Sequence, residues 1–178
     1  MLHQAPLTLE HFGVISLSVR DGDPAPVREQ ATLSREESTY KGFLSSLLLL
    51  KINPDEASSL LYVETCHRVE LYFWNLNAES LLKRWLNERL VDFEFARVKT
   101  GVDALRHLVR VTSSLDSEVL GETQITGQIK DAAEFSRKEG WLRGPLDRCV
   151  QQAFRIAKRI RSSTALGVGT VSVAHAAV

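Results

Sequence analysis

The sequence predicts an α+β protein: a small mixed β-sheet covered by helices, followed by a helical subdomain. Three observations carry this. Up to about residue 100, short strand-like runs alternate with helical stretches. Beyond it, the apolar spacing turns helical and stays so. The composition, 44% hydrophobic and 25% charged over 178 residues, suits a globular chain long enough to bury a core.

The elements follow in order. Residues 12–19 form a strand candidate, and the breakers Asp21-Gly22-Asp23-Pro24-Ala25-Pro26 mark a turn after it. Ser34 and Glu37 have capping-box spacing and open a helix that runs to the leucines near position 50. Residues 60–64 and 69–74 are strands bracketing a cysteine. In the second, Val69, Leu71 and Phe73 form a wholly apolar face, alternating with Glu70, Tyr72 and Trp74. Leu81, Leu82, Trp85 and Leu86 give residues 78–90 a helical stripe, and residues 93–98 form a further short strand. Helices are predicted over 102–111, 122–139 and 146–161, the last with the stripe Val150, Ala153, Phe154, Ala157 and Ile160. This order corresponds to a ferredoxin-like plait over residues 1–100, a helical subdomain over 101–163, and the start of a linker over 164–178.

Composition excludes several classes. Lysine plus arginine equals aspartate plus glutamate, 22 against 22, so net charge points to no particular partner. Two cysteines make no disulfide framework and fit a reducing compartment. The longest apolar run, Leu47 to Leu50, is far too short to span a bilayer, and the N-terminus lacks a signal-peptide pattern. The expectation is a cytoplasmic chain with no membrane association. His3, His11 and His175 have no partners at ligand spacing, so no metal is expected.

The chemistry concentrates in two segments. In Val63-Glu64-Thr65-Cys66-His67-Arg68-Val69-Glu70, a thiol beside His67 and Arg68 is placed to be held partly as thiolate, the nucleophilic form. Some forty residues later comes Ser113-Ser114-Leu115-Asp116-Ser117-Glu118-Val119-Leu120-Gly121-Glu122-Thr123-Gln124. Together they suggest covalent catalysis on an activated carboxyl group. Asp116 and Glu118 are read as solvating the start of a helix. Cys149, beside Val150 on a helix, is read as core. Eight basic residues between Arg137 and Arg161, against Glu139 and Asp147, form either a phosphate-binding cluster or a solvated helix face.

The motif Thr65-Cys66-His67-Arg68-Val69-Glu70, with His107 and the run from Ser113 to Lys130, resembles the signature of glutamyl-tRNA reductase, in its N-terminal catalytic domain. The spacing matches too: Ser117 lies ten residues after His107, Glu122 five further on, and Gln128 six beyond that. Ala25-Pro26-Val27-Arg28-Glu29 is similar to the family's segment near its first strand. Val171 to Val178 is similar to the stretch before its nucleotide-binding domain.

The resemblance implies a reaction. Cys66 attacks the ester of glutamyl-tRNA(Glu) to give a thioester, which NADPH reduces to glutamate-1-semialdehyde for tetrapyrrole (porphyrin, heme) biosynthesis. His107 is implied as a second catalytic residue. Thr65, His67, Arg68, Ser117, Glu122, Thr123, Gln124 and Gln128 are implied to line the glutamate site. Arg68 offers a planar fork for a substrate carboxylate, Glu122 a partner for the substrate ammonium or for Arg68, and His107 a proton near neutral pH.

The chain departs from the family pattern at His67, where asparagine is usual, at Ser114, where glycine is usual, and at an apparent insertion, Asp21-Gly22-Asp23. Gly167-Val168-Gly169 is no dinucleotide fingerprint, so no cofactor is expected for this chain alone. Two readings stay open. One is a catalytic domain that forms the thioester and, without the NADPH domain, has at most esterase activity. The other is a non-catalytic, glutamyl-tRNA reductase-like binding or regulatory protein, with heme-pathway proteins as partners. The family's dimerisation elements are implied to lie elsewhere, so a monomer is expected.

Overall fold

The computed structural model describes residues 8–18, 37–65, 67–89, 96–116 and 123–164. Its elements are β1 (Phe12–Ser18), α1 (Glu37–Leu47), β2 (Ser59–Glu64), β3 (Arg68–Trp74), α2 (Ala78–Arg89), β4 (Arg97–Thr100), α3 (Gly101–Thr112), α4 (Thr123–Lys138) and α5 (Gly144–Ser163). The Asp21–Pro26 turn, Ser34 of the capping box and the 165–178 tail lie outside the described residues. The fourth strand begins at Arg97, later than the 93–98 expected; residues 91–95 also lie outside the description.

The strands form one sheet in the order β2-β3-β1-β4. The α+β class and the plait topology hold, but the expected mixed sheet is antiparallel at every described pairing. The reason is topological. The crossover through α1 would make β1 and β2 parallel, but β3 inserts between them and runs against both.

Both faces of this sheet are covered, which is why β3 is buried at all seven positions. On one face Ile15, Leu17, Leu60, Val69, Leu71 and Phe73 pack against Phe43, Leu44 and Leu47 of α1 and Leu81 and Trp85 of α2. On the other face Phe12, Val14, Leu61, Val63, Tyr72 and Trp74 meet Ala104, Leu108 and Val111 of α3 and Ile125, Ile129 and Ala133 of α4. Helix α4 lies directly against β2, while α5 packs chiefly on α3. The strand period of two therefore sends Arg68, Glu70 and Tyr72 toward α3, and Val69 and Leu71 away from it.

Two backbone features fix how α3 lies over the sheet. Gly101 has φ +59°, so β4 turns directly into the helix at a residue with no Cβ. At the other end Ser114 has φ +57°. The Ser114 amide donates to the Val111 carbonyl (3.0 Å), and the Leu115 amide to the Arg110 carbonyl (2.9 Å). These paired bonds around a left-handed residue make a Schellman cap, which turns the chain back toward the sheet at Asp116.

Candidate functional site

The Thr65 amide donates to the Arg68 carbonyl at 2.9 Å, closing the β2–β3 hairpin. Two residues connect the strands across that bond: Cys66, which lies outside the described residues, and the half-buried His67. The hydroxyl oxygen of Thr65 accepts from the amides of His67 (3.3 Å) and Arg68 (3.2 Å), an ST-turn that holds the connection from within.

Behind the hairpin the network centres on Glu70, which is 0% exposed. Its Oε1 accepts from Ser16 Oγ (3.1 Å) and Arg68 Nη1 (3.1 Å) and lies 2.7 Å from His107 Nε2. Its Oε2 accepts from the Tyr72 hydroxyl at 2.5 Å. Burial by itself would push this carboxyl up. The hydrogen bond and charge of His107, the Arg68 charge and the Tyr72 hydroxyl outweigh burial and hold it down at about 2. The same arrangement, led by burial and then by the Glu70 charge, raises the Tyr72 phenol well above its ordinary range.

An ionised carboxylate only accepts, so Nε2 of His107 must carry a proton toward Glu70. That orients Nδ1 away from Glu70, 4.0 Å from Asp116 Oδ2. Arg68 is 3% exposed and already committed. Beyond Glu70, its Nη2 donates to the Asp116 carbonyl, and its Nη1 lies 3.8 Å from Asp116 Oδ2. Its Nε is buried without a partner among the described residues. Asp116 also pairs with Arg110 at 3.4 Å. A cleft of about 380 Å³ shares His107 and Asp116 with this network and is otherwise lined by Lys99, Asp103, Arg106 and Arg110.

Thr65, Arg68 and His107 are thus brought together through Glu70 and Asp116. Ser117 and Glu122 lie outside the described residues, as does the Thr123 side chain at the start of α4. Gln124 is exposed, while Gln128 is half-buried with its Oε1 lacking a partner among the described residues. Cys149 is buried among the packed helices, and burial raises its thiol to about 11, against a smaller opposite pull from Arg148. It is therefore a poor nucleophile.

A family model described as "Glutamyl-tRNAGlu reductase, N-terminal domain" matches residues 15–164. The chain belongs to this family. A glutamyl-tRNA reductase of Stenotrophomonas maltophilia is 40% identical over 156 residues, which is 87% of this chain and 35% of the relative. One from Hahella chejuensis is 38% identical over 172 residues, 93% of this chain and 39% of the relative. Among solved structures, glutamyl-tRNA reductase from Methanopyrus kandleri superposes with a TM-score of 0.74 at 26% identity, covering 92% of this chain and 37% of that one. The chain therefore spans little more than a third of the relatives it matches.

Within this glutamyl-tRNA reductase N-terminal domain, sequence reasoning passed over three groups. Glu70 stood inside the quoted motif without a role. Its signal was a carboxylate in an otherwise apolar strand, two residues from an arginine on the same face. Asp116, read as solvating a helix start, instead ties the end of α3 to Arg68 and Arg110. Lys99, Arg106 and Arg110 carried no signal, since only the packing of β4 beside α3 gathers them. Among the described residues, no cluster of three or more His, Cys, Asp or Glu could hold a metal ion, and no helix is long and apolar enough to cross a membrane.

Proposed function

We propose that this domain performs the acyl-transfer half of glutamyl-tRNA reduction. The Cys66 thiolate adds to the ester carbonyl of glutamyl-tRNA(Glu), the carbon–sulfur bond forms, and the carbon–oxygen bond to the terminal ribose breaks. The ribose hydroxyl departs with a proton delivered from Nδ1 of His107, and the glutamyl group remains as a thioester.

The observation that carries this reading is the buried chain Thr65/Arg68–Glu70–His107. It fixes the imidazole in one tautomer and ties it to the hairpin bearing Cys66. Such a carboxylate–histidine pair stabilises the imidazolium when Nδ1 takes a proton and leaves Nδ1 to give it back. Arg68 is proposed to act in glutamate binding as part of this buried assembly, with its fork already oriented by Glu70 and Asp116. Ser117, Glu122, Thr123, Gln124 and Gln128 are proposed to complete the glutamate site from α4 and the segment before it. The Oε1 of Gln128, which has no partner among the described residues, suits an ammonium donor.

NADPH is the reductant the family reaction implies. A dinucleotide needs a crevice at the carboxyl ends of parallel strands with a glycine-rich turn into a helix. The described sheet is antiparallel throughout, so these residues do not fit that group, and no hydride step is derived from them. In this chain the thioester is expected to pass to water, releasing glutamate and regenerating the thiol.

The test is acid-quenched incubation of the 178-residue chain with tRNA(Glu) charged with labelled glutamate. Label should remain on protein, be lost in Cys66→Ser, and fall at least tenfold in rate in His107→Gln, in line with loss of a general acid. Absence of label, alongside tight binding to a heme-pathway protein, would instead favour the regulatory reading.

A further inference from the structure

The cleft beside His107 has a composition that acyl transfer itself does not require. Its cations come from two elements. Lys99 sits on β4 opposite Val14, whose side chain packs under α3, so Lys99 faces the helix side of the sheet. Arg106 and Arg110 stand one turn apart on α3 and point along the same flank. Arg106 pairs with Asp103 and Arg110 with Asp116, which hold both guanidiniums at the cleft. Among the described residues Lys99 pairs with no carboxylate. The side chain of Arg106 is 65% exposed, so it reaches an incoming ligand without unfolding anything.

We infer that the cleft lined by Lys99, Arg106 and Arg110, with His107 in its wall, binds the phosphodiester backbone at the 3′ end of the transfer RNA. This rests on the acyl-transfer reading and adds where the nucleic acid lies. Any ester carried on a terminal ribose has that sugar's own 5′-phosphate within one sugar's width of the leaving oxygen. If His107 protonates that oxygen, the phosphate falls beside His107, where these three cations converge. Arginine forks match phosphate oxygens in pairs, while lysine adds a point charge. Asp103 and Asp116 set a limit on the ligand. They disfavour a small polyanion sunk into the cleft and favour a singly charged diester lying along its rim.

The exposed face of α5 offers the competing location. It carries Arg148, Arg155, Lys158 and Arg159, and among the described residues none of these four side chains bonds to Glu70, Arg68 or His107.

The experiment measures binding of uncharged tRNA(Glu) to the 178-residue chain across a salt series, in parallel with Cys66 labelling from a small glutamyl thioester that has no nucleotide. Lys99→Gln combined with Arg106→Gln should weaken tRNA binding about tenfold and lower the slope of log affinity against log salt by about 1 to 2. Labelling from the small thioester should be unchanged. Asp103→Asn, which removes a negative charge from the rim, should tighten binding. Arg148→Gln with Arg155→Gln should have less effect than the cleft pair. Unchanged affinity and slope in the cleft variant, or a larger loss in the α5 variant, would overturn the inference, as would a wild-type chain that does not bind tRNA. A chain that binds tRNA but takes no label at Cys66 from either donor sinks the acyl-transfer reading instead, so the two failures are distinguishable.

Discussion

Glu70 shows how one residue can set the properties of several others. It is fully buried, ionised, and the common acceptor for Ser16, Arg68, Tyr72 and His107. Glu70→Gln keeps the shape but replaces an acceptor oxygen with a donor. It leaves Arg68 buried with only Asp116 as counter-charge, and it releases the His107 tautomer. Urea denaturation should show a loss of about 3 kcal/mol, the usual scale for breaking a buried ion pair. Labelling at Cys66 should slow as in His107→Gln. A variant with wild-type stability and rate would remove Glu70 from its organising role.

Ser114 is a residue-scale cost. Its φ of +57° is one that L side chains adopt at roughly 1–2 kcal/mol, and the Schellman cap around it asks for glycine. Glycine at this position would be free of that cost for a conformational reason, independent of any approach to substrate. Ser114→Gly is expected to raise the thermal midpoint by a few degrees, about 1 kcal/mol, with labelling unchanged.

At the scale of elements, the central pair β1–β3 is packed without slack. Gly13 lies opposite Phe73, and a Cβ built at Gly13 would come within 2.2 Å of the Phe73 ring. The ring is buried on the α1–α2 face and cannot swing into solvent. Gly13→Ala should cost about 1–3 kcal/mol as overpacking, and Gly13→Ala with Phe73→Leu should recover much of it. Failure of the double variant to recover would mean that the strand backbone, and not the ring, sets the limit. The helices serve position as well as burial. The turn at Gly101 lays α3 back across the sheet so that His107 shares the inner stripe of Ala104, Leu108 and Val111.

For the whole molecule, the buried network predicts acid sensitivity with a definite sign. Glu70 is held at about 2 in the fold against an ordinary 4.5 when unfolded. Its ionised form therefore adds stability that is complete above about pH 5. That contribution is lost as the pH falls through 4.5 toward 2, on the order of 3 kcal/mol in all. Stability measured between pH 7 and pH 3 should fall in the wild-type chain, and this component of the slope should be absent in Glu70→Gln. Equal slopes would show that other carboxylates carry the acid response.

The sequence by itself determined much of this protein. Apolar periodicity located the described strands and helices to within a few residues, except for β4, because burial on one face imposes periods of 2 and 3.6 that survive in the letters. The spacing from Cys66 through His107 to Gln128 identified the family before any coordinates, since it records a constellation and not merely a fold. Three things waited on tertiary structure. Strand order decided that the sheet is antiparallel, because it depends on β3 inserting between β1 and β2. Burial on both faces made Glu70 a shared anchor, since one carboxylate in a strand does not show which donors other elements bring to it. The cleft of Lys99, Arg106 and Arg110 exists only because Gly101 folds α3 back beside β4. Local propensity acts along the chain, whereas a site built across elements depends on distances through space that no stretch of sequence contains.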